Sequence, residues 1–205
     1  MWTFEKKYVA PDEIDYGPLP RKRLTHGWLT VLGALWVLLG ISTFLAPGSL
    51  AVVPLIYLAL VAVVFARLAA LDLCYLLLLN IYTLPLFLLG ILYQSLFGVG
   101  IGSSLAGALV AGAIGVLLSL FMALFKRQEG EFGMGDIKML MVMGAWVGLG
   151  ALPFAFSIAF IANLVLAFCI SSRQAIPFGF GLVIGTWVMA AFKAPFMAGL
   201  FYLFG

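Results

Sequence analysis

The chain has 205 residues, 65% of them apolar and only 9% charged, which leaves too little polar surface for a water-soluble domain and places it in a lipid bilayer. Its formal net charge of +3 is small and, once the spans are drawn, reads as an orientation signal, which is weak support for nucleic acid or any acidic partner.

Residues 1–27 are polar and proline-containing, with no apolar core near the start. They are expected to form a cytoplasmic N-terminal arm rather than a cleaved secretory signal, leaving 28–205 as a transmembrane domain. Uncharged stretches then run from Gly27 to Ala66, Leu73 to Phe125, Met139 to Ser172 and Gln174 to Phe192. A helix needs roughly 20 residues to cross the hydrocarbon, so each of the first three is long enough for two. Turn chemistry divides them at Pro47-Gly48-Ser49, at Phe97-Gly98-Val99-Gly100, and at Gly148-Leu149-Gly150 before Pro153. The expected fold is an all-α polytopic membrane protein of about seven transmembrane helices, over 28–46, 50–69, 81–97, 101–125, 138–149, 151–170 and 176–192. The tail from Pro195 to Gly205 is too short to cross unaided.

Alternating these spans puts Lys6, Lys7, Arg21, Lys22, Arg23, Arg67, Lys126, Arg127, Lys138 and Arg173 on one face and Lys193 alone on the other. The basic face is cytoplasmic by the positive-inside rule. Cys74 and Cys169 stand apart in apolar surroundings and His26 is the single histidine, so no zinc site or other cofactor is expected and the cysteines read as small buried hydrophobes. The small residues of "GIGSSLAGALVAGAIG", Gly100 to Gly115, follow the spacing that lets membrane helices approach closely. Asn80, Thr83 and Gln94 read as interhelical hydrogen-bonders and Lys138 as a snorkelling anchor. Trp28, Trp36, Trp146 and Trp187 read as belt or packing residues. No Ser-His arrangement suggests itself.

The acids are the informative class. Glu5, Asp12, Glu13 and Asp15 lie on the arm, Glu129 and Glu131 in a cytoplasmic loop, and Asp72 and Asp136 adjoin spans at the cytoplasmic end. An ionisable group at a membrane boundary is solvated, paired or functional. Taken singly, Asp72 reads as an interfacial anchor paired with Arg67, and Asp136 as a helix N-cap. Taken together they read as a pair. Two carboxylates held close cannot both ionise cheaply, so one keeps a proton while the other serves as general base.

"FGMGDIK", Phe132 to Lys138, resembles the GxGD signature of the prepilin peptidases, intramembrane aspartyl proteases that include the preflagellin peptidases of archaea. Upstream, "LDLCYLLLLNIYTLPLFLLG", Leu71 to Gly90, is similar to the family's other catalytic segment, with Asp72, Asn80, Pro85 and Gly90 in its marked positions. Later, "AIPFGFG", Ala175 to Gly181, looks like the family's PxPFGP element through Pro177, Phe178 and Gly179. The chain departs from the pattern in carrying Leu79 where a proline is usual and an apolar "LCYLLLL" after the first aspartate. It also lacks the CxxC insertion associated with N-methylation, so the resemblance implies a peptidase-only form.

That resemblance implies Asp72 and Asp136 as a catalytic dyad, with Gly133, Gly135, Asn80, Lys138, Pro177 and Gly179 shaping the loop or binding substrate, and no metal or cofactor. The implied substrate is a prepilin-like or preflagellin-like membrane protein, cut at its short basic leader on the cytoplasmic face of a prokaryotic inner membrane. Glycines at 133 and 135 suit a loop that presents Asp136 and lets a peptide strand approach. The polar loop from Lys126 to Gly135 is expected to move and to assemble the dyad on closure. Glu129 and Glu131 could attract a basic leader, although exposed charge of this kind is readily screened. Two other classes fit the composition: a catalytically inactive scaffold of a pilus or secretion assembly, and a proton-coupled small transporter.

Overall fold

The computed structural model describes the backbone of residues 21–45, 52–125, 133–169 and 177–204. The arm up to residue 20, the turn at Pro47-Gly48-Ser49, and Glu129 and Glu131 with their loop lie outside the described residues. Within them the chain forms seven helices, here α1 (Arg21–Leu45), α2 (Val52–Tyr75), α3 (Asn80–Phe97), α4 (Ile101–Phe125), α5 (Met134–Val147), α6 (Leu152–Cys169) and α7 (Phe178–Phe204). Three stretches, Val52–Tyr75, Asn80–Phe97 and Ile101–Leu124, are long and apolar enough to cross a membrane. A 24-residue helix reaches ~36 Å, against ~30 Å of hydrocarbon. Gly27–Leu39, Leu152–Phe168 and Phe178–Phe192 are shorter apolar helical stretches.

Helix boundaries differ from the sequence expectation where breakers had been over-read or starts under-read. α2 continues past residue 69 to Tyr75, because nothing between Ala70 and Tyr75 opposes a helix, and Asp72 is therefore inside it. α5 begins at Met134 with Gly133 as an extended N-cap, one turn before the expected start. α7 runs through Lys193 and Pro195 to Phe204. A proline forfeits one ladder bond and strains the turn before it without forbidding the helix, and α3 likewise carries Pro85 in its interior. The predicted turns at Gly100 and Gly148 are present, each with its glycine at positive φ, 95° and 72°.

α5 is the central element, packed against α3, α4, α6 and α7, and the run Met139–Val147 is buried except at Met141. Its Trp146 organises the core. The indole lies 5.3 Å from both Tyr93 and Phe65, and Phe65 continues to Trp187 at 5.7 Å. Buried indoles keep a polar N–H that needs an acceptor. Trp146 Nε1 donates to the Leu86 carbonyl at 2.8 Å, and Trp187 Nε1 to the Leu35 carbonyl at 3.0 Å. α3 admits the indole because residue 90 is glycine, where a Cβ would stand 2.6 Å from Trp146 Cδ1.

The small-residue face of α4 does what its spacing predicts. A Cβ at Gly107 would lie 2.6 Å from the Gly144 carbonyl oxygen, and one at Gly115 2.9 Å from Leu140, so α4 and α5 touch backbone to backbone. Ser104 Oγ donates to the Ala145 carbonyl at 2.7 Å, and Gln94 Nε2 from α3 donates to the Trp146 carbonyl. Gln94 is thus interhelical as expected. Thr83 is not: its hydroxyl turns back to the Leu79 carbonyl of its own chain segment at 3.4 Å. Cys74, expected to be buried, is exposed. Two residues advance a helix by about 200°, so the rotation that buries Asp72 turns Cys74 outward. The side chain of Cys169 is outside the described residues.

Gly144→Val sets branched carbon against the Gly107 carbonyl where only backbone fits. The expected cost is about 1–3 kcal/mol or more, read as a lowered midpoint in thermal unfolding of the detergent-solubilised protein. An unchanged midpoint would mean that α4 and α5 do not make this contact.

Candidate active site

Three chain segments meet at one end of the bundle: the last turn of α2, the first turn of α5 and the first turn of α7. Asp72 comes from the first. It lies within an apolar helix and is 3% exposed, so its carboxylate has to be solvated by protein. The solvation comes from the start of α7. Phe180 N–H donates to Asp72 Oδ2 at 2.7 Å, and the Gly179 N–H is also directed at this carboxylate. The first N–H groups of a helix have no partner of their own, and the helix dipole favours negative charge there. Asp72 therefore serves α7 as a cap supplied from 108 residues away.

Asp136 is held by its own helix. It occupies the third position of α5, and its Oδ2 accepts the Gly133 N–H at 3.1 Å. This is the reaching-back half of a capping box. Asp136 therefore does cap α5, but from inside the first turn, with Gly133 in the N-cap position. The carboxylate is half-buried, and Asp72 and Asp136 are close enough to interact electrostatically.

Leu78 stands where the segments converge. A Cβ at Gly135 would lie 3.0 Å from Leu78 Cβ, and one at Gly179 would lie 2.8 Å from Leu78 Cδ1 and 2.9 Å from Asp72 Oδ2. Both glycines are therefore close-approach positions. Leu78 reaches the gap because the chain turns sharply after α2. Leu76 N–H closes the helix on the Asp72 carbonyl at 2.9 Å, and Leu76 itself sits at φ 54°. That conformation costs a non-glycine residue about 1–2 kcal/mol, and strain of this kind concentrates at functional sites.

The remaining residues singled out in the sequence are also near this end. Lys138 Nζ donates to Asn80 Oδ1 at 2.8 Å, joining α5 to the start of α3. Lys138, expected as a snorkelling anchor and by resemblance as a loop-shaping or substrate-binding residue, has a protein partner, and Asn80 is interhelical as expected. Pro177 is buried immediately before α7, and Gly179 is buried in its first turn. Sequence reasoning missed Leu78, whose apolar side chain in an apolar run gives no signal. It also missed Asn163, a lone amide in the uncharged stretch of α6, which hydrogen-bonds Phe178 and Gly181. The polarity of Asn163 in such surroundings was a usable signal.

The sequence profile of the type IV leader peptidase family matches residues 58–168, a range that holds both aspartates. Among curated proteins, the chain is 37% identical over 159 residues to a prepilin leader peptidase/N-methyltransferase of Aeromonas hydrophila, covering 72% of this chain and 52% of the relative. It is 38% identical over 134 residues to the protein of the same description from Aeromonas salmonicida, covering 61% and 45%, and 35% identical over 112 residues to that of Neisseria gonorrhoeae, covering 52% and 38%. The chain thus spans about half the length, or less, of the curated relatives it matches. No solved structure matches it significantly.

The meeting of α2, α5 and the loop between α2 and α3 is directly testable. In a Cys74→Ser, Cys169→Ser background, Leu78→Cys with Gly135→Cys brings two Cβ atoms within the reach of a disulfide. Mild oxidation of membranes should give an intramolecular crosslink, detected by mass spectrometry. Failure to crosslink would mean that Leu78 does not lie against the start of α5.

Proposed function

The chain belongs to the type IV leader peptidase family, and from that membership and the convergence of Asp72 with Asp136 we propose that it is an intramembrane aspartyl endopeptidase. Its proposed substrate is a prepilin-like or preflagellin-like membrane protein, cut between its short basic leader and its hydrophobic segment. That its relatives are prepilin leader peptidases supports the prepilin-like member of this class. The observation that supports the reading is that the segments bearing two carboxylates from distant parts of the sequence meet at Leu78 in an apolar bundle, each carboxylate supplied by backbone N–H.

In the proposed reaction the dyad holds one proton between two carboxylates. The ionised member takes a proton from water, and the water oxygen bonds to the scissile carbonyl carbon. The protonated member gives its hydrogen bond, then its proton, to the carbonyl oxygen as it becomes an oxyanion. Collapse of the tetrahedral intermediate breaks the C–N bond, a proton passes to the leaving nitrogen, and the pair again holds one proton. Neither aspartate is assigned acid or base, because a coupled pair titrates as a unit. Gly133 leaves room for substrate main chain beside Asp136, while Gly135 shapes the loop by admitting Leu78. Asn80 and Lys138 fix the start of α3 against α5, Gly179 makes room for the Asp72 carboxylate, and Pro177 leads the chain into that turn.

The proposed topology has about seven crossings in a prokaryotic inner membrane, with the N-terminus and both aspartates toward the cytoplasm. The distribution of lysine and arginine supports this orientation, as does a basic leader that has to be met on the same side. The Lys126 to Gly135 loop is proposed to close over bound substrate.

Asp72→Asn and Asp136→Asn each remove a proton-exchanging group while nearly preserving shape. Cleavage of a prepilin-like substrate in proteoliposomes should fall by at least about 10²- to 10⁴-fold in either variant. The double variant should be no worse than the singles, since groups acting as a unit are not additive. Wild-type cleavage by both singles would leave Asp136 a helix cap and Asp72 a structural anchor. Loss at Asp136 alone would break the dyad as drawn.

A further inference from the structure

Asn163 lies midway along α6, and its side chain is 7% exposed. A buried primary amide is costly unless its donor and acceptor are both used. Both are used on the same turn of α7. Asn163 Nδ2 donates to the Phe178 carbonyl at 3.2 Å, and Asn163 Oδ1 accepts the Gly181 N–H at 3.1 Å. The residue between those two contacts that touches Asp72 is Phe180, whose N–H donates to the carboxylate at 2.7 Å.

The two sides of this turn are closed by different side chains, and each side has a glycine. At Gly181 a Cβ would run into the Asn163 amide, and at Gly179 it would lie 2.9 Å from Asp72 Oδ2. Asn163 bonds the main chain in both directions, one acceptor and one donor, so it fixes the rotation of the turn as well as its distance. An amide bonded once could swing. Bonded twice across Phe178 and Gly181, it ties to α6 the turn that carries the Phe180 N–H.

We propose that Asn163 is a positioning residue for Asp72: from α6 it clamps the first turn of α7 in the register that aims the Phe180 N–H at the Asp72 carboxylate. The inference rests on the peptidase reading above and extends it to a residue that touches neither substrate nor the reacting atoms. It predicts an effect on the chemical step rather than on binding. An amide that merely glues α6 to α7 would be replaceable by any apolar side chain of similar size that keeps the protein folded.

The test uses the full chain in proteoliposomes with a prepilin-like peptide substrate. Asn163→Leu matches the asparagine in size and suits the apolar surroundings while removing both hydrogen bonds. Its kcat should fall about 10- to 100-fold, the scale of a small misplacement of a reacting group, with KM little changed. Asn163→Gln keeps both amide functions on a longer stem and should recover part of kcat. Wild-type kcat in folded Asn163→Leu overturns the proposal, and so does a change confined to KM. Gly181→Ala probes the same turn from the other side by pushing a methyl group at the amide. It should also lower kcat, and wild-type kcat there overturns the proposal even if Asn163→Leu fails to insert. Asp72→Asn run in parallel separates the two readings. If it cleaves normally the peptidase reading of Asp72 fails, whereas an inactive Asp72→Asn beside a fully active Asn163→Leu removes the clamp alone.

Discussion

The hydrogen bond from the Phe180 N–H to Asp72 Oδ2, 2.7 Å long, closes a loop of 108 residues and answers a constraint set by the solvent. A carboxylate drawn into an apolar bundle loses water worth many kcal/mol and has to find donors in the protein. The start of a helix offers them at no further cost, because its first N–H groups are orphaned in any case. Asp72 and α7 solve each other's problem, and the last helix is thereby docked against the second. The glycine at 179 fits that docking, since a Cβ there would crowd the carboxylate oxygen at 2.9 Å.

The same device appears a second time at this end of the bundle. Asp136 meets the Gly133 N–H at the start of α5, so each carboxylate faces backbone donors at a helix N-terminus, one helix distant in sequence and one its own. Repulsion between two acids in a low-dielectric setting is severe. Separate supplies of N–H donors offset part of that cost.

How much of this was legible in the sequence depends on whether the signal was local. The helices, the turns at Gly100 and Gly148 and the close-packed glycine face of α4 follow from composition and spacing, which local rules read well. The aspartates stood out because charge in an apolar chain is rare. Helix ends were read less well. Nothing local in Ala70 to Tyr75 distinguishes a loop from a continuing helix, so Asp72 was expected at the exit of a span rather than within one, and Cys74 was given the wrong face. What the sequence hid entirely is carried by main chain. The Phe180 N–H has no side-chain signature, and Leu78 owes its position to the left-handed turn at Leu76, a residue type that does not advertise one.

Central placement of α5 explains why a helix of only 14 residues governs so much of the molecule. Its far half is fixed to α3 and α4 by Trp146, Gly144 and Ala145 through hydrogen bonds and backbone contact. Its near half, from Met134 to Lys138, is less buried and bears Asp136. Asp136 thus stands on a less enclosed first turn above a tightly packed far half. Asp72 is the opposite case, enclosed and braced by the turn of α7 that Asn163 holds. The two carboxylates therefore differ in setting, one enclosed and one on a less buried first turn.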